Sequence, residues 1–507
     1  MTSAQICILI AIVAYLGAML AVGVWFAKKN NSVDDFYLGG RKLGPFVTAM
    51  SAEASDMSSW LLMGLPGVAY LTGLAEASWT AIGLAIGTYL NWLIVARRIR
   101  RYSIRLNAIT VPQFFSKRWG DDHNLLSAIA AVIIIIFFIP YTASGFSACG
   151  KLFSTLFGMD YVAAMLISAA VIVIYTVMGG FLAASFTDLM QSIIMTIALM
   201  VVLGFGVTKA GGLDAVMANA QSLAGYLSLS SIHNTTTLGA DPYSLLTICS
   251  LLAWGLGYFG MPHILLRFMA IGDEKKLPLS RRVATIWVVI SMGIAVFIGV
   301  VGNAMTKAGA LEQLTDAETI IVRIASLISE YGVFAALVAG IILAGILAAT
   351  MSTADSQLLA ASSSASQNLA VEFFKLKLDN KQGMLLARGT MVVISLVATF
   401  LARDPGSSVF RVVSFAWAGF GAAFGPTVLF ALFWKRSNKW GALAGMISGG
   451  AMVFIWKYLI APMGGIWGIY ELLPAFIVAS IAIVAVSLAT ERPGTEIEKI
   501  FDEVNAK

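Results

Sequence analysis

The chain alternates long apolar runs with short charged segments, and the spacing of the runs is regular enough to predict elements. The runs fall at 5–27, 43–70, 76–96, 125–150, 161–186, 188–208, 244–268, 283–306, 320–368, 388–401, 410–434, 441–459 and 467–489. Most reach the roughly 20 residues that an α-helix needs to cross the hydrocarbon core of a bilayer. The pattern predicts an all-α polytopic membrane protein with 13 transmembrane helices. The run 320–368 is too long for one simple crossing, so an outer helix over Ile320 to Ser329 is expected before the crossing begins near Val333.

Two runs are interrupted. The second contains Ser51-Ala-Glu-Ala-Ser-Asp-Met-Ser-Ser-Trp60, with Gly64, Pro66 and Gly67 just beyond. It places Glu53, Asp56 and four serines at membrane depth, where ionisable groups are costly and normally face a cavity or protein. Such a segment predicts a helix that stops and restarts, and a break frees backbone carbonyls that, beside hydroxyls, suit a small hard cation. Five spans later comes Leu251-Leu-Ala-Trp-Gly-Leu-Gly-Tyr-Phe-Gly-Met-Pro-His263, again broken by glycine and proline. Paired interruptions in two halves point to inverted repeats around a central site. Residues 43–208 and 244–434 are therefore expected to be the two repeats, five spans each, with 1–42 and 435–507 peripheral to a single transmembrane domain.

The candidate chemistry collects on these runs. At the first break, the carbonyls of Ala54 and Met57 would face a cation, and Asp56 would order the break, lend negative potential or cap the second half-helix. Glu53 is expected to pair with a basic residue. In the ninth run, Ser352, Asp355 and Ser356 fall at i, i+3 and i+4 on one helical face, with Thr353 beside them, and oxygen ligands are what a hard cation prefers. The alternative is that these hydroxyls only bond back to their own helix or join helices together. In the seventh run, Trp254, Gly255, Tyr258 and Pro262 would form an aromatic wall against a solute, with Tyr141 after Pro140 as a further candidate. Asp188, in Ser185-Phe-Thr-Asp188, is expected as a helix cap or, with Asp355 and Ser356, as part of a second cation site.

Composition narrows the class. The chain is 59% hydrophobic and 12% charged, and its three cysteines and three histidines have no metal-site or disulfide spacing. The net charge of +6 does not indicate nucleic acid, because the basic residues sit in short loops between spans. With the N-terminus outside and the C-terminus cytoplasmic, 26 of the 33 basic residues lie in inner segments, from Lys28–Lys29 to Lys507, and 7 lie outside. The first run lacks a basic leader and a cleavage site, so it is expected to be retained. Asn234-Thr-Thr in the long outer loop is a glycosylation sequon in a chain of bacterial style, where it is expected to carry no meaning. A channel would need a filter or a ring of charges, and a receptor would need more than the eighteen residues after Ala489.

Several motifs resemble the sodium/solute symporter family, in particular its sodium/proline symporters. They are Tyr37-Leu-Gly-Gly-Arg41, Ala54-Ser-Asp-Met-Ser58, Trp254-Gly-Leu-Gly-Tyr-Phe-Gly260 with Pro262-His263, Met351-Ser-Thr353, Ala416-Trp-Ala-Gly-Phe-Gly-Ala-Ala-Phe-Gly-Pro426 and Gly441-Ala-Leu-Ala-Gly-Met446. The resemblance implies a LeuT-like 5+5 fold in the plasma membrane and uptake of L-proline driven by Na+. It implies a sodium site from the carbonyls of Ala54, Met57 and Ala349 and the hydroxyls of Ser352 and Thr353. Proline would lie against Tyr141, Trp254, Gly255, Tyr258 and Pro262, near Ser55 and Ser58, with Asp56 and Arg41 acting indirectly. Asp188, Asp355 and Ser356 resemble members of the family that bind a second sodium.

Overall fold

A helix rises 1.5 Å per residue and the apolar core of a bilayer is about 30 Å thick, so helix length decides what each run can do. The computed structural model describes residues 2–27 and 33–506. Lys28, Lys29 and Lys507, which entered the loop-charge argument, lie outside the described residues. Among the described residues, ten helices are long and apolar enough to cross a membrane, or eleven if the bent pair Leu245–Gly260 and Pro262–Ala270, at 47°, is one span.

The expected 13 is not reached by that measure, and two places account for the difference. Tyr161–Lys209 is one helical run of 49 residues. At about 73 Å it is more than twice the thickness of the apolar core. Its break lies at Gly180 (φ 63°, ψ −167°), not near residue 187 where the run pattern divided it. The second run is split into Pro45–Ser59, a wide turn over Trp60–Gly64 and Leu65–Thr72. The long run 320–368 resolves as expected. Ile320–Ile328 ends in a tight turn over Ser329–Tyr331, Gly332 adopts φ 101°, and Val333–Ser363 follows.

The Val333–Ser363 helix is the axis of the packing, lying against Tyr161–Lys209, Ser3–Ala27, Pro45–Ser59 and Leu125–Phe157. Val409–Phe433 packs on the broken segment Ala253–Gly260 and on Lys439–Ile455 and Leu472–Ala489, which cover it from outside. Helix crossings are tight where glycines meet. Gly83 and Gly87 face Gly255 so closely that a Cβ on Gly87 would collide with the Gly255 backbone. Small residues at such crossings let backbones approach where lipid supplies no hydrophobic drive.

The loops are ordered by specific bonds. Gly39, Gly40 and Arg41 all adopt positive φ (62°, 61° and 57°), which explains the paired glycines before the arginine. In the long loop that holds the sequon, Ser231–His233 pairs antiparallel with Ala240–Pro242. Asn234 closes this hairpin: its side chain accepts from the N–H groups of Thr236 (2.9 Å) and Thr237 (3.0 Å) and donates to Asp241 (2.8 Å). The sequon asparagine is thus a turn-former. Thr495–Asn505 docks on two basic loops through Lys435–Asp502 (2.6 Å) and Arg105–Glu503 (3.0 Å).

Candidate functional site

The first break is at Ser58, a non-glycine residue at φ 48°, ψ −171°. Its hydroxyl accepts the N–H of Trp60 at 3.0 Å, so Ser58 caps the restart. Gly64 and Pro66, expected to mark the break, have helical surroundings, and Gly67 provides close packing against the Glu318 backbone. Capping is also not the role of Asp56. Its carboxylate accepts the Tyr258 hydroxyl at 2.5 Å, and its carbonyl accepts the Tyr141 hydroxyl at 3.1 Å. The second carboxylate oxygen, Oδ1, is buried without a partner. Asp56 therefore ties together three runs that the chain places far apart.

On one side of Asp56, oxygens converge. The Ser352 hydroxyl donates to the carbonyl of Ala54 at 2.8 Å and to that of Ala349 at 3.1 Å. The Thr353 hydroxyl lies 3.5 Å from the same Ala54 carbonyl. Two hydroxyls and two carbonyls, all buried and uncharged, are a donor set for a small hard cation. The Met57 carbonyl accepts the N–H of Trp60 at the helix end.

On the other side lies a narrow cavity lined by Asp56, Met57, Trp60, Leu84, Tyr141, Trp254, Val413 and Trp417. Trp254 sits 5.6 Å from Trp60 and from Phe410, and stacks on Tyr470 at 5.0 Å. Tyr258 meets Trp417 edge-on at 5.1 Å, and the Trp417 indole donates to the Trp254 carbonyl at 2.8 Å. Aromatic rings at these separations hold one another rigidly and leave polar edges for a ligand.

The remaining expected residues fall as follows. Ser55 donates back to Ala52 at 3.1 Å. Gly255 faces Gly83 and Gly87, so its missing side chain serves the helix crossing. Pro262 begins the helix Pro262–Ala270, where its absent N–H costs nothing. Glu53 accepts from the Trp92 indole at 2.9 Å, not from a basic residue. Arg41 donates to Ser103, Met269 and Ala108, which fastens the first inner loop to two others.

Asp188 is buried eight residues past the break at Gly180, well inside a helix, so it is not a cap. It meets Arg267, a residue that the loop-charge argument had assigned to an inner loop. Arg267 lies in Pro262–Ala270 and is 1% exposed. It reaches Asp188 at 3.2 Å, Ser51 at 2.9 Å and Ser356. Trp417, Phe410 and Arg267 are the residues sequence reasoning missed as site members. For Arg267 the available signal was its setting, Leu-Leu-Arg-Phe-Met-Ala-Ile, apolar on both sides.

Residues 36–449 match the family model described as the sodium:solute symporter family. The sodium/proline symporter of Haemophilus influenzae is 42% identical over 506 residues, covering 98% of this chain and 97% of its own. An osmoregulated proline transporter of Bacillus subtilis is 41% identical over 97% of both chains, and the sodium/proline symporter of Escherichia coli is 41% identical over 98% of this chain and 96% of its own. Among solved structures, a sodium-coupled sialic acid symporter in a substrate-bound outward-open state superposes with a TM-score of 0.78 at 19% identity, over 96% of this chain and 99% of its own. MhsT in complex with L-phenylalanine gives 0.52 at 13% identity, over 88% of this chain and 99% of its own. The fold is that of the LeuT-like sodium symporters, and the chain belongs to the sodium:solute symporter family.

Proposed function

We propose that this protein is a sodium-coupled symporter that carries L-proline inward across the plasma membrane. One observation carries the reading: the oxygens of Ala54, Ala349, Ser352 and Thr353 converge on one side of Asp56, and an aromatic cavity closes on the other. The second and ninth runs share the cation, while the fourth and seventh share the solute. An ion bound between the second and ninth runs favours their closed arrangement, which is also the arrangement that completes the aromatic wall. Coupling needs just this, two ligands that both stabilise one state.

Proline suits the lining of the cavity in chemistry. Its ring and ammonium match aromatic faces, and the end of a half-helix can receive its carboxylate. The curated relatives at about 40% identity along the full chain support proline as the solute and sodium as the coupling ion. The split of loop charge supports an outside N-terminus and a cytoplasmic C-terminus. Counting the bent pair Leu245–Gly260 and Pro262–Ala270 as one crossing, Tyr161–Lys209 as two and Pro45–Thr72 as one broken crossing gives thirteen, with 43–208 and 244–434 as the inverted repeats.

The test is counterflow in proteoliposomes. Vesicles loaded with unlabelled proline should take up external labelled proline above equilibrium, and an inward sodium gradient should drive net accumulation. Equilibration without overshoot would identify a channel, and absence of flux with retained binding would identify a receptor.

A further inference from the structure

Three helices far from the candidate site change from apolar to charged at one level. Leu74–Arg105 does so at Arg97 and Arg98, Val409–Phe433 is followed by Lys435 and Arg436, and Leu472–Ala489 by Glu491 and Arg492. Arg98 donates to the Leu432 carbonyl at 3.1 Å and Arg436 to the Thr490 carbonyl at 2.8 Å, which brings the three transitions together. On the apolar side of that level the same helices enclose a groove of about 710 Å³, lined among others by Ile94, Pro426, Phe433, Trp434, Phe476 and Val484. Pro426 to Trp434 and Phe476 to Val484 are each a stretch of about 12 Å along a helix. One leaflet contributes about 15 Å of hydrocarbon, so the groove runs through most of a leaflet's depth.

We propose that this groove binds an anionic phospholipid, with an acyl chain along the groove and the phosphate on Arg98.

The charge at the mouth is the argument. Arg98 stands four residues beyond Ile94, and its guanidinium lies 4.1 Å from the centre of the Phe433 ring, so it shares the groove's side of its helix. The basic residues around it are answered by carboxylates: Arg101 by Glu274 at 2.9 Å, Arg105 by Glu503 at 3.0 Å and Lys435 by Asp502 at 2.6 Å. Among the described residues no carboxylate pairs with Arg98, whose protein contacts are one backbone carbonyl and one aromatic face. Its remaining N–H groups form the planar fork that suits a phosphate. Trp434 packs edge-on against Phe430 at 5.5 Å at the same mouth, the level at which tryptophan straddles the membrane interface. Lipid chains are the solvent of a groove that opens sideways from a transmembrane bundle, and a basic pocket between helices selects their anionic heads. A zwitterionic lipid offers the same phosphate but brings a cation beside Arg98 and Lys435.

The experiment titrates the purified full-length protein in detergent with phosphatidylglycerol and, separately, with phosphatidylcholine of the same chains, counting bound lipid by native mass spectrometry. Phosphatidylglycerol should bind about fivefold more tightly or better. Arg98→Gln should remove about fivefold from that affinity and leave phosphatidylcholine unchanged, and Arg98→Lys, which keeps the charge, should restore most of it. Brominated phosphatidylglycerol should quench the fluorescence of the unmodified protein more than that of Trp434→Phe, which places the chain in the groove. Equal affinity for the two lipids, or phosphatidylglycerol binding that Arg98→Gln leaves intact, overturns the inference, as does quenching that Trp434→Phe leaves unaltered. Full displacement of the lipid by inorganic phosphate would make this a site for a free anion and overturn it too. If Arg98→Gln fails to reach the membrane, the two-lipid comparison and the quenching difference decide.

Discussion

At the residue scale, the polar atoms of the site are economical, and most can be tested singly. Ser352 and Thr353 supply two of the four converging oxygens, and each hydroxyl lost from a buried hydrogen-bonded set is worth roughly 1 kcal/mol. Ser352→Ala with Thr353→Ala should therefore raise the sodium concentration for half-maximal proline uptake by on the order of tenfold or more. Uptake kinetics at constant membrane expression check this, and an unchanged sodium dependence would show that these oxygens do not bind the ion. Trp254 belongs to the other side of Asp56, where it stacks on Tyr470 and approaches Trp60 and Phe410. Trp254→Ala should weaken proline binding by about 2 kcal/mol or more, some thirtyfold, and leave sodium binding without proline within about threefold. Equal losses for both ligands would mean that the ring serves packing.

At the scale of elements, the breaks do the positioning, and a single carboxylate fastens several of them together. Glu318, in the tight turn Ala317–Thr319, accepts from Ser408 Oγ at 2.8 Å and from the N–H groups of Val409 and Phe410, both at 3.1 Å. It also takes Lys151 at 2.8 Å. It thereby caps the helix Val409–Phe433 and holds Phe410 against Trp60 and Trp254. Glu318→Ala leaves two buried donors short of a partner, at about 1–3 kcal/mol each, while Lys151 keeps Asp316 at 2.9 Å. Proline affinity at saturating sodium should fall about tenfold or more, and unchanged affinity would free the outer turn of any part in closing the cavity. Much of this level was legible in the chain. Glu53 and Asp56 in mid-span announced a broken run, and a separate helix Ile320–Ile328 precedes the ninth crossing, which begins at Val333 as expected. The first break fell in the Ala54–Ser58 stretch where the carbonyls of Ala54 and Met57 were expected to be freed, at Ser58, a non-glycine residue at positive φ, whereas Gly64 and Gly67, the usual signals, go to packing. The second break was placed too late: the run was divided at Ser185-Phe-Thr-Asp188, its most polar stretch, although Gly179-Gly180 is itself a turn signal and Gly180 carries the break. Arg267 was misplaced because an arginine near the end of an apolar run reads as a topology signal, and only tertiary contact with Asp188 shows otherwise.

At the scale of the whole molecule, the sites are useful only if the membrane's energy passes through them. Proline is a zwitterion with no net charge, so the charge moved per proline equals the number of sodium ions. An inward sodium gains about 2.3 kcal/mol from a potential of 100 mV. A tenfold sodium gradient adds about 1.4 kcal/mol, for a total near 3.7 kcal/mol, which supports roughly 500-fold accumulation of proline at equilibrium. Collapsing the potential while keeping the sodium gradient should then lower steady-state accumulation about 50-fold, to about tenfold. With two coupled sodium ions the same treatment would lower it about 2,500-fold, a difference no reasonable error in the imposed potential could bridge. Steady-state labelled proline in proteoliposomes, with and without a potassium ionophore to clamp the potential at zero, measures the ratio directly. A drop near 50-fold requires one charge per proline, a drop beyond a thousandfold requires two, and a drop of less than a few fold would mean that sodium and proline do not cross together.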